Sequence, residues 1–422
     1  MSLESHDVVV IGGGPAGSVC ATRLASKGRR VLVLEREKHP RFHLGESLLP
    51  NSMGVLSEVG VLDEVRARFL VKRGARFVDG LDPACATRYD FAEAFHATWD
   101  HAFQVPRDEF DALLFRRAGE SGAELREQWE VTRILREGER AAGVEVRGPD
   151  GALHEIGARF VVDASGRNAV MARASAGVER IAHLDRTALF TQVRGAWRDV
   201  GAREGDIQIV VFGKDSDDRG WFWFIPFADG RTSVGCVVSG AWMRARRGLG
   251  PEALFEDAVR GSPAATFLLA GAPPMFAARA TADFSFRVET LRGHGWVAVG
   301  DASGFIDPLF STGAHLAMNG GLQAADAIDA ALEAGDVSRD RFEAWERSQR
   351  LGAELFVGVV QAFYAGDLTS YLFAKEQHPF LRRAITSLLA GDVFDPAARW
   401  VRELRDRFPV QASRVGATGG SR

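Results

Sequence analysis

The chain has 422 residues, 46% of them apolar, and a formal net charge of −4. That length allows two to three domains' worth of polypeptide with a large core. The balanced charge, without a Lys/Arg run, argues against a nucleic-acid partner and against a polybasic membrane-surface segment.

In chain order, Asp7 to Ile11 reads as a buried strand, followed by a glycine cluster and a helix from about Ala16 to Lys27 that Gly28 closes. The segment before this strand is too short for a signal peptide. Cys20, Cys85 and Cys236 are scattered and odd in number. No disulfide framework or metal site follows from them, and a cytoplasmic location is expected. Val31 to Leu34 forms the next strand and ends in Glu35, which completes the opening of a βαβ unit. Arg107 to Gly119 is an amphipathic helix with Phe110, Leu113, Leu114 and Ala118 on one stripe. Strands are predicted over 130–135, 143–147 and 160–163, with a Pro149-Asp150-Gly151 turn between them. From about Thr187 to Val238 strand follows strand, which predicts an antiparallel sheet inserted into the dinucleotide fold. Trp296 to Gly300 is a further buried strand leading to Asp301, and after Gly320 the pattern turns helical. The apolar run from Leu355 to Ala365 is too short to span a bilayer and reads as a buried helix. The tail from Gly416 to Arg422 is expected to be disordered.

Gly12-x-Gly14-x-x-Gly17 is the first motif with chemistry in it. It follows a strand, opens a helix, and has an acidic residue at the end of the next strand. Gly12 permits the tight turn, Gly14 lets backbone approach a pyrophosphate, and Gly17 lets helix and strand pack closely. The helix N-terminus around Ala16 supplies free N–H groups for phosphate, and Glu35 is placed to accept from ribose hydroxyls. Three features favour FAD over a nicotinamide dinucleotide. Asp301 follows a late strand, Asp163 leads into Ala164-Ser165-Gly166 after another, and Arg107 begins a helix within reach of the flavin side chain. There is no second G-x-G-x-x-G unit. Arg36 and Arg41, just beyond Glu35, are expected to join the cofactor-binding set.

On these residues the chain resembles the glutathione-reductase-like FAD superfamily and, within it, the flavin-dependent halogenases and aromatic hydroxylases. Trp221-x-Trp223-x-Ile225-Pro226 resembles the halogenase W-x-W-x-I-P signature. Phe305-x-Asp307-Pro308-x-Phe310-Ser311-Thr312-Gly313 is similar to the family pattern F-x-x-P-x-x-S-x-G. The resemblance implies that Pro308 and Gly313 lie against FAD and that Ser311, Thr312 and Gly313 bind halide beside it. Gly45-Glu46-Ser47-Leu48-Leu49-Pro50 resembles the family's flavin-side loop, which makes Glu46 and Ser47 flavin neighbours. The family has an essential lysine near position 72, projecting into the substrate chamber. Lys72 is one of only five lysines against 47 arginines. An amine can donate to hypohalous acid or be chlorinated, whereas a guanidinium is a poorer choice.

The resemblance therefore implies an α/β, glutathione-reductase-like fold with a discontinuous FAD-binding domain over 1–80, 100–186 and 275–330. A substrate-binding antiparallel sheet would occupy 81–99 and 187–274, and a helical segment 331–422. It implies an FADH2-dependent halogenase that uses chloride or bromide and a separate flavin reductase. Where tryptophan halogenases carry a glutamate before S-T-G, this chain has Phe310. That favours a phenol or pyrrole, free or tethered to a carrier protein, over free tryptophan. The rival readings are a flavin monooxygenase or geranylgeranyl-reductase-like enzyme on the same fold, and an accessory flavoprotein that escorts a partner.

Overall fold

The computed structural model describes residues 4–411 except 176, 182–183, 214, 216 and 283–284; the tail 416–422 lies outside the described residues. Strand Glu4–Ile11 sits in the middle of the main sheet, and Val8, Val9 and Val10 are buried there. Strands covered on both faces need continuous apolar runs rather than alternation. Val31–Glu35 pairs with it in parallel on one side and Leu153–Asp163 on the other. Glu124–Glu127 extends the parallel array beyond Val31–Glu35, and Trp296–Ala298 extends it beyond Leu153–Asp163. The antiparallel strands Arg140–Arg147 and Glu130–Glu137 join through the first half of Leu153–Asp163.

The helix Pro15–Ser26 opens with Gly14 as N-cap and Pro15 in its first turn, where a missing N–H costs nothing. It is held tightly to the strand before it: a Cβ at Gly17 would lie 2.0 Å from the Gly12 carbonyl oxygen. Against its other side packs the helix Thr312–Glu333, where a Cβ at Gly321 would lie 2.4 Å from the Ala16 oxygen. This helix begins eight residues before the point read from sequence. Gly313, Gly320 and Gly321 look like breakers in the pattern, but here they are close-contact positions within one continuous helix.

The second sheet has seven strands in the order Arg279–Ala282, Arg186–Arg194, Arg231–Ser239, Gly220–Pro226, Ile207–Phe212, Gly74–Asp79 and Ala86–Asp90. All its pairs are antiparallel except Ile207–Phe212 with Gly74–Asp79. Gly74–Asp79 and Arg279–Ala282 lie outside the ranges expected for this sheet. Along Gly220–Pro226 the side chains alternate. Phe222 and Phe224 pack with Trp242 and Phe255 on one face, while Trp221, Trp223 and Ile225 turn to the other. That second face is covered by the C-terminal helices, with Leu355, Phe356, Val359 and Phe363 in the same cluster. The run Leu355–Ala365 is thus the second half of the buried helix Glu343–Ala365. Among the described residues no helix is long and apolar enough to cross a membrane.

The close approach at Gly17 gives a direct test. Gly17→Ala forces the helix off the strand, an overpacking cost of about 1–3 kcal/mol. Denaturant unfolding should show that loss, and fluorescence titration should show weakened FAD binding. An unchanged unfolding midpoint would refute the close packing.

Candidate active site

A cavity of about 800 Å³ opens at the edge where the parallel strands end, the usual ligand position in such sheets. Gly12, Gly14, Ala16, Glu35, Arg36, Arg41, Glu46, Ser47, Arg107 and Asp301 all line it. Gly12 has φ +102°, a conformation that favours glycine. A Cβ on Gly14 would meet only the Arg41 guanidinium, at 3.5 Å, so this position is open to the cavity. The first helix has no side-chain cap bond and no acidic residue in its first turn, which leaves its N-terminal N–H groups available to an anion. Glu35 accepts from the N–H of Gly13 and of Glu37, both at 2.9 Å, and is thereby fixed at the cavity wall. Its oxygens keep lone pairs for further donors. An open glycine, a bare helix N-terminus and an anchored carboxylate fit a dinucleotide.

Arg107 is buried and forked onto Asp111, with Nε and Nη2 at 2.7 and 3.0 Å. Its third nitrogen donates to the Leu44 carbonyl at 2.7 Å, so it pins the loop before Glu46. Desolvation pushes the Glu46 carboxyl up to about 7; Ser233 donates to its Oε2 at 3.1 Å, and among the described residues Oε1 has no partner within hydrogen-bond geometry. The Trp223 indole donates in turn to Ser233 at 3.1 Å. Trp221, Trp223 and Ile225 line the cavity and Pro226 does not. Desolvation also raises the Asp301 carboxyl, to about 6.

Asp163 departs from expectation. It is fully buried and does not line the cavity; its two oxygens accept from the Ser165 and Met171 N–H groups at 3.0 and 2.7 Å. It caps the turn that follows its strand, and Ser165, Gly166 and Arg167 face the cavity instead. Gly17 likewise serves packing and not the wall.

Lys72 is fully buried, yet it too is absent from the cavity wall. Its Nζ donates to the Leu48 carbonyl at 3.0 Å and lies 5.1 Å from the Phe91 ring centroid. Glu46 and Ser47, the two residues before Leu48, face the cavity. The amine therefore sits behind a single stretch of backbone and not in an open chamber. Desolvation lowers its pKa to about 7, with Asp206 pulling the other way.

Pro308, Ser311, Thr312 and Gly313 line the cavity near Trp221. Asp307 caps the short turn Pro308–Phe310 by accepting from the Leu309 N–H at 2.9 Å. Ser311 then adopts φ +57°, a strained left-handed conformation for serine, and Thr312 starts the 22-residue helix. That helix has no acidic residue in its first turn, so its N-terminus also presents free N–H groups and partial positive charge. Phe310 is buried in the apolar cluster. Sequence reasoning missed Phe42, Trp129, Phe190 and Ile207, which also line the cavity. It also missed Ser233 behind Glu46 and Tyr364 behind Trp221. A polar residue inside a run of buried strand, as Ser233 is, was the available signal.

Residues 5–357 match a family model described as an FAD binding domain. A brominase of 1H-pyrrole-2-carbonyl peptidyl-carrier protein from Pseudoalteromonas luteoviolacea (strain 2ta16) is 31% identical over 397 residues, 93% of either chain. A tryptophan 2-halogenase from Chondromyces crocatus is 30% identical over 421 residues, covering 97% of this chain and 77% of that one. The solved structure of the flavin-dependent brominase Bmp2 superposes with a TM-score of 0.85 at 29% identity, over 96% of this chain and 98% of that one. With this fold and this site, the chain belongs to the flavin-dependent halogenases, enzymes built on an FAD-binding domain.

Proposed function

We propose that this halogenase acts on an electron-rich pyrrole or phenol presented by a carrier protein, with Lys72 as the residue that hands over the oxidised halogen. The observation that carries this reading is the Lys72 amine, buried and held by the Leu48 carbonyl directly behind the cavity-facing pair Glu46 and Ser47. Phe310 supports the substrate class: it offers no carboxylate, so the ring must be activated enough without one. The likeness to a carrier-protein pyrrole brominase over nearly the whole chain points the same way.

In this reading Gly12, Gly14, Ala16, Glu35, Arg36, Arg41, Glu46, Ser47, Arg107, Asp301 and Pro308 hold FAD. Ser311, Thr312 and Gly313 form the halide turn: Thr312 and Gly313 hold the ion through the first N–H groups of the helix, and Ser311, whose own N–H donates to the Pro308 carbonyl, shapes the turn as its N-cap. Reduced FAD, delivered by a separate reductase, supplies the electrons that activate oxygen and the means to convert halide to hypohalous acid. The indoles of Trp221 and Trp223 wall the cavity and keep the aromatic substrate away from the cofactor. Lys72 receives hypohalous acid through its nitrogen lone pair or N–H donors. A pKa of about 7 makes both forms of the amine accessible near neutral pH.

The reading is tested with the reductase, oxygen, chloride or bromide, and pyrroles and phenols both free and carrier-loaded. Mass spectrometry should show a halogen isotope pattern on the carrier-loaded ring. An oxygenated product that forms equally well without halide would replace this reading with a monooxygenase.

Lys72→Met should remove product by more than about 100-fold, a typical scale for losing one acid–base or nucleophilic group, while flavin oxidation continues. Retained halogenation would end the role given to Lys72.

The buried amine also predicts a pH effect on stability. Between its folded pKa near 7 and an unfolded value near 10.5, the unfolded chain binds more protons, so stability rises with pH. The penalty is largest below pH 7. Lys72→Met should therefore be more stable than the parent at pH 7 by a few kcal/mol, because each tenfold loss of proton affinity on folding costs about 1.4 kcal/mol. The advantage should shrink towards pH 10 in a denaturant series, and a pH-independent difference would place the amine in water.

A further inference from the structure

Trp221 and Asp307 belong to two different motifs, and a third residue, outside any motif, joins them. The Trp221 indole N–H donates to the Tyr364 hydroxyl at 2.9 Å, and that hydroxyl donates to Asp307 Oδ2 at 3.0 Å. All three side chains are buried. The other Asp307 oxygen accepts from the Leu309 N–H and so caps the turn before Ser311. Tyr364 is itself held from two further directions. The Arg186 guanidinium lies 3.7 Å from its ring centroid, and Arg219 donates to its backbone carbonyl at 2.5 Å.

We propose that Tyr364 is a positioning residue for the halide turn. Its hydroxyl ties the cavity-facing indole of Trp221 to the carboxyl that caps Pro308–Phe310, so the helix Glu343–Ala365 sets where Ser311, Thr312 and Gly313 point. This rests on the reading of that turn as the halide site. The physical need is plain. A serine at φ +57° persists only where its surroundings over-determine it. The Asp307 cap is the nearest restraint, and Tyr364 holds the cap's second oxygen. A hydroxyl can accept from the indole and donate to the carboxyl at once; a phenyl ring can do neither.

The test is Tyr364→Phe, which keeps the ring and its packing. Losing the shared hydroxyl should raise the bromide KM roughly tenfold, the scale of one disrupted buried hydrogen bond. FAD affinity and kcat at saturating bromide should stay at parent values. In FAD-loaded crystals soaked in bromide, anomalous scattering should place the ion at the Thr312 and Gly313 N–H groups in the parent and show lower occupancy in the variant. Asp307→Asn, which keeps an oxygen for the Leu309 N–H but turns an NH2 donor towards the Tyr364 hydroxyl, should reproduce the KM effect.

Equal bromide occupancy and equal KM in parent and variant would overturn the role of Tyr364 and leave the halide turn standing. A fall in kcat and FAD affinity with unchanged KM would make Tyr364 merely structural and overturn it as well. Absence of bromide from the turn in the parent would bring down the halide reading and this proposal with it.

Discussion

Parallel pairing of Glu4–Ile11 with Val31–Glu35 and Leu153–Asp163 is the constraint from which the site follows. Strands that run in one direction end at one edge. Gly12 follows the first strand, Glu35 ends the second, Ala164 to Arg167 follow the third, and Gly300-Asp301 come just after Trp296–Ala298. Four segments far apart in the chain therefore surround a single cavity. The registers Val10 to Val33 and Val10 to Val162 fix their relative heights. A one-residue slip of a strand would exchange its two buried faces and take its terminal loop out of the wall.

Around that cavity, burial works against charge. Desolvation raises the carboxyls of Glu46, Asp301 and Asp307 to about 7, 6 and 6, and lowers the Lys72 amine to about 7. Each is a group driven towards its neutral form by surroundings that offer few compensating charges. Arg107 escapes because Asp111 binds it through two nitrogens and backbone carbonyls take the third. The wall thus separates two kinds of polar residue. Arg107 and Glu35 have hydrogen-bond partners on every side-chain nitrogen or oxygen and hold backbone in place. Among the described residues Glu46 keeps one oxygen outside any hydrogen bond, which is costly in the free protein unless something bound supplies a partner.

What could be read in the sequence was what backbone geometry forces on residue type. Gly12 is at positive φ and Gly17 sits under a carbonyl, where only glycine serves, and Gly14 leaves the wall open to the cavity, so the motif shows through. Alternating aromatics at 221 and 223 gave the strand and the face turned to the cavity. Asp163 misled because an aspartate at a strand end serves equally well as a ligand contact or as a cap, and composition cannot tell which N–H groups fold back onto it. The strand Gly74–Asp79 was missed because Arg76 and Asp79 interrupt its apolar pattern. Tyr364 was beyond reach for another reason: its partners lie 143 and 57 positions away, and its own surroundings read only as a buried helix.

The position of Lys72 shows how one short segment can fix several parts of a site. Ala102–Gln104 pairs with Leu70–Lys72, with Lys72 opposite Ala102. The same segment accepts the Leu48 N–H at Phe103, bridges Ser47 at Gln104, and sends the Val105 N–H to the Glu46 carbonyl. Two residues on, Arg107 holds Leu44 and Gly45 by their carbonyls. The lysine strand and the loop in front of it are thus pinned to a common backbone, and neither can shift without breaking several hydrogen bonds. The side chain is under a lighter restraint, one bond from Nζ to the Leu48 carbonyl, in a site where burial already disfavours the charge that would strengthen it. The distance from amine to cavity is therefore governed by side-chain rotation at Lys72 against a fixed frame.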